Sequence, residues 1–312
     1  GNRILILMSD GKLTLGDRKK EKAALQELSL LLPKIAKAKI KIYAIAFTEK
    51  ADAELLEETA IKTGGSFKIA KTDRDLHMIY ASIFEKIKSP DAIPLEGETF
   101  QIDKDIQEAI LLITKKPGTS TVLFSPNGDR RTSSAPGKNS RWEASGVFDL
   151  ISIKDPDPGK WRIKLTIQEG NRIFVVTNLR LKTSLDKNFV SEGDRIRVQT
   201  WLEREGGRID DKDFLAQVSF AAQVKGPDGD LQKLALAVED PAAGEKGSGA
   251  FAGGFVAKQK GEYTVRVTAE SKAFQREKVH QFVVTAKPIP PLEQDKPTPV
   301  VEPPPKAPGP KP

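Results

Sequence analysis

With 312 residues, 38% of them apolar, and a formal net charge of +7 from 50 Lys+Arg against 43 Asp+Glu, the chain has an ordinary globular composition with room for two or three domains. The absence of cysteine excludes a disulfide framework and thiolate chemistry, and the two histidines, His77 and His280, lie too far apart in sequence for the usual His-rich metal clusters. No apolar run approaches the ~20 residues of a membrane helix, no signal-peptide pattern opens the chain, and the dispersed lysines alternate with acids without interleaved aromatics, so nucleic acid is not an expected partner.

Residues 4–11 read ILILMSDG. Five apolar residues in a row followed by Ser-Asp-Gly predict a strand buried on both faces, with Asp10 at its carboxyl end. Over 17–39, Ala24, Leu25, Leu28, Leu31, Leu32, Ile35 and Ala36 recur at helical spacing, and Asp17 is available as the N-cap. A second buried strand follows at 40–47, then a helix over 51–63 that stops at Gly64-Gly65, where a left-handed cap is expected. A third strand at 66–70 and a closing helix over 73–88 complete a β-α-β-α-β-α order. That order predicts an α/β, doubly wound unit with parallel strands over 1–89.

From Pro90 the pattern becomes all-β: short apolar or alternating runs between Pro, Gly, Asn and Asp clusters. TVLFSPNGDR (121–130) resembles AAQVKGPDGDL (221–231), and PGKWRIKLT (158–166) resembles KGEYTVRVT (260–268). The mutual distance is kept, with 33 residues from Gly128 to Trp161 and 34 from Gly229 to Tyr263. A duplicated domain type follows: two Ig-like β-sandwiches of about seven strands each, over 90–178 and 179–286. The tail 287–312 holds 11 prolines in 26 residues and reads as a disordered Pro-rich spacer.

Asp10 is the leading candidate for function, because ligands of open α/β sheets sit beyond the carboxyl ends of the strands; Ser9 and Gly11 flank it. Several chemistries put a carboxylate there: a local cap on its own turn is one, and acceptance of a phosphoryl group a second. The second wants a partner acid and a later lysine that the motif does not supply. Trp161 and Tyr263 are expected to anchor sandwich corners, Tyr263 with a hydroxyl-to-backbone bond. Trp142 and Trp201 read as core or sheet-face residues, His280 as strand packing, and the acidic runs 155–159 and 208–213 as solvated turns.

Taken in order, RILILMSDG, KIKIYAIAF, ADAELLEETAIKTGGSFKIA and DLHMIYASIFEKI resemble the second half of a von Willebrand factor type A domain, over residues 3–87. The resemblance implies a partial Rossmann-like half domain and makes Asp10 the last acidic member of a metal-ion-dependent adhesion site, acting on Mg²⁺ through water. The family's Asp-x-Ser-x-Ser metal loop does not occur in this sequence, so Mg²⁺ is expected only in a complete domain and not for this chain alone. In the family the first strand read here is central in the sheet. A fragment is therefore expected, or a partner strand seated against Ile4–Met8.

Followed by sandwiches carrying FSPNGD, FDLISIKDPDPGKWRIKL and FVSEGDRIRVQTWL, the arrangement is similar to bacterial envelope proteins with a C-terminal membrane anchor, and to calcium-activated chloride channel regulators. The implied function is a non-enzymatic binding or adhesion module of the bacterial periplasm or cell envelope, anchored in the membrane outside this chain. Its ligand is expected to be a protein or other molecule with an acidic group that completes the metal shell. The alternative is a structural envelope scaffold with a vestigial α/β part. A third reading, an ATPase subunit or an enzyme, lacks a Gly-rich phosphate loop.

Overall fold

The computed structural model describes residues 3–48, 50–88, 90–164, 170–239 and 249–286, so the proline-rich tail at 287–312 lies outside the described residues. The chain is β-rich, with twenty-two strands and four helices among those residues.

The first six elements are β1 (Arg3–Ser9), α1 (Arg18–Lys37), β2 (Ile40–Ala46), α2 (Ala53–Thr63), β3 (Ser66–Ile69) and α3 (Asp73–Lys88). The strands are parallel in the order β1-β2-β3. Local chemistry sets their limits. The Lys19 N–H donates to the Asp17 carboxylate at 2.8 Å to start α1. Gly64 closes α2 at φ 71°, and a Cβ on the next residue, Gly65, would stand 1.7 Å from the Ile42 carbonyl oxygen. Both faces of β2 are covered: Tyr43 and Ile45 pack with Ile79 and Ile83 of α3, while Ala44 and Ala46 pack with Leu56 and Ala60 of α2.

β1 corrects the expectation of a strand buried on both faces. Ile4, Leu5, Ile6 and Met8 are 37–48% exposed. The strand is the sheet edge, with β2 as its neighbour, and α1 does not cover it. Among the described residues Leu7 packs against the core and the Tyr80 hydroxyl reaches the Met8 sulfur at 3.0 Å. The apolar stripe of α1 is likewise half used, with Leu32 buried but Leu25 and Leu31 exposed.

The next nine strands are β4 (Asp91–Ile93), β5 (Thr99–Ile102), β6 (Ile106–Thr114), β7 (Val122–Phe124), β8 (Arg130–Arg131), β9 (Ser140–Ala144), β10 (Phe148–Lys154), β11 (Gly159–Lys164) and β12 (Arg172–Thr177). They enclose a core that includes Phe100, Leu111, Ile151 and Trp161. Then come β13 (Leu179–Thr183), β14 (Phe189–Ser191), β15 (Arg195–Arg204), β16 (Gly207–Arg208), the single turn α4 (Lys212–Leu215), β17 (Ser219–Lys225), β18 (Leu231–Leu234), β19 (Ala237–Val238), β20 (Ala250–Val256), β21 (Gly261–Glu270) and β22 (Gln275–Thr285). Their separate core includes Leu181, Val198, Phe255, Val265 and Phe282. The strands beyond the expected seven per sandwich are mostly two- and three-residue ladders, too short to leave an alternation in sequence.

The repeated motifs occupy equivalent corners. Gly128 and Gly229 both turn at φ 88°, closed by Gly128 N–H to Ser125 O at 3.0 Å and by Gly229 N–H to Gly226 O at 3.1 Å. In each, the residue four before that glycine pairs with the residue just after the aromatic: Phe124 with Arg162, and Lys225 with Thr264. A Cβ on Gly159 or Gly261 would strike the ring of Pro126 at 2.8 Å or Pro227 at 2.6 Å. Trp161 donates its indole N–H to Asp157 O at 2.9 Å, and the Tyr263 hydroxyl accepts the Gln259 N–H at 3.2 Å, each four residues upstream.

One sheet runs through both sandwiches in the order β18-β17-β21-β22-β4-β12-β6-β10-β9. The joint is β4, antiparallel to β12 on one side and bridged to β22 through Ala92 and Glu277 on the other.

Candidate functional site

Asp10 follows β1 in an exposed turn. Its carbonyl oxygen accepts the Thr48 hydroxyl at 2.8 Å, and the Ser9 hydroxyl donates to Gly11 O at 3.1 Å, so the turn is closed by its own polar groups. The neighbouring Asp52 carboxylate is committed as the cap of α2. Among the described residues no three His, Cys, Asp or Glu side chains gather to hold a metal. Mg²⁺ requires near-octahedral oxygen ligation, which a lone exposed carboxylate and an inward-turned serine do not fit.

The densest buried polar chemistry lies instead where β22 meets the first sandwich. Three consecutive residues of β22, Arg276, Glu277 and Lys278, are buried. Arg276 holds Asp103 bidentately, at 2.5 and 3.1 Å, and also donates to Thr177 Oγ1 at 2.9 Å and to Leu179 O at 2.8 Å. This pairing satisfies a guanidinium that is fully inside the protein. Glu277 takes Arg266. Lys278 donates to Pro90 O at 2.6 Å and stands 3.5 Å from Asp91 Oδ1, while Arg180 donates to Asp91 Oδ2 at 2.8 Å. The α/β unit is tied in through Glu85 to Arg172 at 2.9 Å, Lys68 to Glu262, and Asn188 to Gly64 O at 2.7 Å.

Between α3, β12, β13 and β22 this network borders a cavity of about 490 Å³. Among the described residues, eight lysines and arginines line it against three carboxylates. Burial, aided by the nearby Lys68 and Lys41 charges, lowers Lys86 to about 8. Burial also lowers Lys278 to about 8, against the pull of Asp91. His280 falls to about 4, through burial and then the Lys278 and Lys86 charges. Burial raises Glu85 in spite of Arg172. His280 Nε2 and Thr183 Oγ1 stand 2.7 Å apart at the cavity wall, which places this histidine beside a polar opening and not in simple packing.

The Hemicentin galactose-binding domain-like family matches residues 87–178. No curated protein matches the chain. Among solved structures, a DUF4785 family protein from Legionella pneumophila is similar at 13% identity and TM-score 0.40, over 60% of this chain and 56% of that one. A von Willebrand factor type A protein from Catenulispora acidiphila is similar at 15% identity and TM-score 0.22, over 67% of this chain and 40% of that one. Fibronectin(III)-like modules of Clostridium thermocellum CbhA are similar at 11% identity and TM-score 0.20, over 58% of this chain and 86% of theirs. The chain thus spans about half the length of the first of these proteins and two fifths of the second. At these scores the structural likenesses carry no argument.

Ser9, Asp10 and Gly11 remain together at one turn, remote in sequence from the junction cluster. The junction had one sequence signal: QREKVHQFVVT places three charges in succession at the start of an alternating strand. With a period of two, at least one of them must point inward.

Proposed function

We propose that the chain is a non-enzymatic binding module of the bacterial cell envelope, in which two edge-joined sandwiches present a ligand surface beside an α/β unit. The match of residues 87–178 to a galactose-binding-like family carries this reading, because that segment is the end of α3 and the first sandwich. A galactose-terminated glycan is the ligand class it suggests. Titration of the whole chain with galactosides and glucosides tests it: saturable, galactose-selective binding is expected, and the absence of glycan binding overturns it.

The hydroxyl–imidazole pair Thr183–His280 is the arrangement nearest to a catalytic dyad. No carboxylate is hydrogen-bonded to that ring among the described residues, and a base lowered to about 4 is a weak proton acceptor for a threonine hydroxyl. This supports the non-enzymatic reading. The finer proposal, adhesion through Mg²⁺ at Asp10 as in a type A domain, requires oxygen ligands from outside the described residues. The open apolar edge Ile4–Met8 would accept a partner strand that brings them. The scaffold reading is favoured by one observation, the single sheet that runs through both sandwiches.

A further inference from the structure

We propose that the cavity between α3, β12, β13 and β22 is a binding site for a small molecule that carries two or more negative charges on tetrahedral oxyanion groups, phosphoryl or sulfuryl. The site stands apart from the glycan reading and does not rest on it.

Of the cations that line the cavity, Arg172 is engaged by Glu85 and Arg180 by Asp91, and Lys278 shares Asp91. Lys41 and Lys86 have no ion pair or side-chain hydrogen bond among the described residues, and Lys182 has Glu203 only at 3.6 Å. Like charges held together at a partly buried wall raise the free energy of the protein unless a counter-charge joins them. Burial first, and then neighbouring cations, Lys68 and Lys41 at one and Lys182 and Arg180 at the other, lower Lys86 and Lys278. An anion in the cavity would offset the like charges.

The elements involved argue against a purely local cause. The macrodipole at the carboxyl end of α3 accounts for Lys86 and Lys88 in its last turn. It does not account for Lys41 on β2, Lys182 on β13 or Lys278 on β22, which three separate parts of the chain deliver to the same space.

The donors select the ligand. The two guanidinium groups, which suit planar carboxylates best, are each already engaged through Nε by one of the protein's own acids, Arg172 by Glu85 and Arg180 by Asp91. What remains are ammonium groups on flexible stems approaching from several directions, a set that suits the distributed oxygens of a tetrahedral anion. About 490 Å³ exceeds the need of one inorganic ion and falls in the range of small-molecule sites.

Calorimetric titration of the whole chain with inorganic pyrophosphate, a sulfated disaccharide and citrate tests the proposal. Saturable one-to-one binding is expected for pyrophosphate or the sulfated sugar, and the tighter of the two identifies the source of the oxyanion. Lys86→Gln should weaken it about tenfold or more, and Lys154→Gln, at the end of β10 in the first sandwich, should not. Lys41→Gln serves as a second variant should Lys86→Gln fail to fold. The His280 ring gives an independent reading by NMR, since a bound anion offsets the Lys278 and Lys86 charges and moves its pKa upward. Absence of binding, binding indifferent to both lysine variants, or tighter binding of citrate than of either oxyanion overturns the proposal. Neutral galactosides form a separate arm whose failure bears on the glycan reading alone.

Discussion

In the first sandwich the corner made by Pro126, Gly159 and Trp161 belongs to the small four-stranded sheet, whereas in the second the equivalent Pro227, Gly261 and Tyr263 lie in the long sheet that both sandwiches share. The local geometry is the same to the register of the paired residues. The surroundings differ: Trp161 is fully buried beneath Arg131, whose guanidinium lies 4.9 Å from the ring, while Tyr263 stacks on Phe282 at 5.6 Å. A short motif therefore builds a corner wherever the chain carries it, but leaves open which sheet will meet a neighbour. That choice follows the edges: β4 and β22 present matching buried charges, Asp91 toward Lys278, while Asp103 and Arg276 close the space beside them.

The largest expected effect comes from breaking that joint. Asp103→Ala leaves Arg276 buried without its carboxylate and should cost about 3–5 kcal/mol in denaturant unfolding. The pair Asp103→Leu with Arg276→Met should recover much of the loss, and a full additive loss would show that the two residues do not act together.

At the corners, only loss of the buried indole is of comparable size. Trp161→Ala should cost about 3–5 kcal/mol, and Tyr263→Phe only about 1 kcal/mol, the worth of one hydrogen bond. Gly159→Ala and Gly261→Ala, at φ 138° and 127°, should each cost about 1–3 kcal/mol. Clearly unequal glycine costs would end the claim that the corners are equivalent.

The pH dependence separates the joint from the corners. His280 is lowered to about 4 in the folded chain, so between that value and its ordinary pKa the unfolded chain binds more protons, and stability rises with pH across that window. Lys86, facing Lys68, Lys41 and Glu262, and Lys278, facing Asp91, Lys182 and Arg180, are both lowered to about 8. The same sign makes stability rise again from about 8 toward the ordinary lysine value. Unfolding measured against pH should show both rises, and His280→Gln should flatten the acidic one. The smallest effect is expected at the exposed turn: Asp10→Ala should change stability by less than about 0.5 kcal/mol.

Much of the local structure was legible. Asp17 and Gly64 mark helix ends because a cap depends only on adjacent residues, and the Pro-Asn/Asp-Gly turns with their distant aromatics marked two corners of matching geometry. The burial of β1 was not legible, because five apolar residues in a row state a preference for being covered and say nothing of whether a cover is present. The junction was missed for a related reason. Glu85, Asp91, Asp103, Arg172, Arg180 and residues 276–278 carry no mutual spacing, and charges in a sequence read as solvated unless a partner is known.

The sequence by itself determined the β-rich character, the alternation of the first six elements and the repeated corner, since each follows from hydrogen bonding and side-chain periodicity within a few residues. Only the tertiary structure decided that two sandwiches share one sheet, that β1 lies at an open edge, and that cations from α3, β2, β12, β13 and β22 border one cavity. Those outcomes depend on which edges and charges meet across long stretches of chain, and burial, which sets their energy, exists only after they have met.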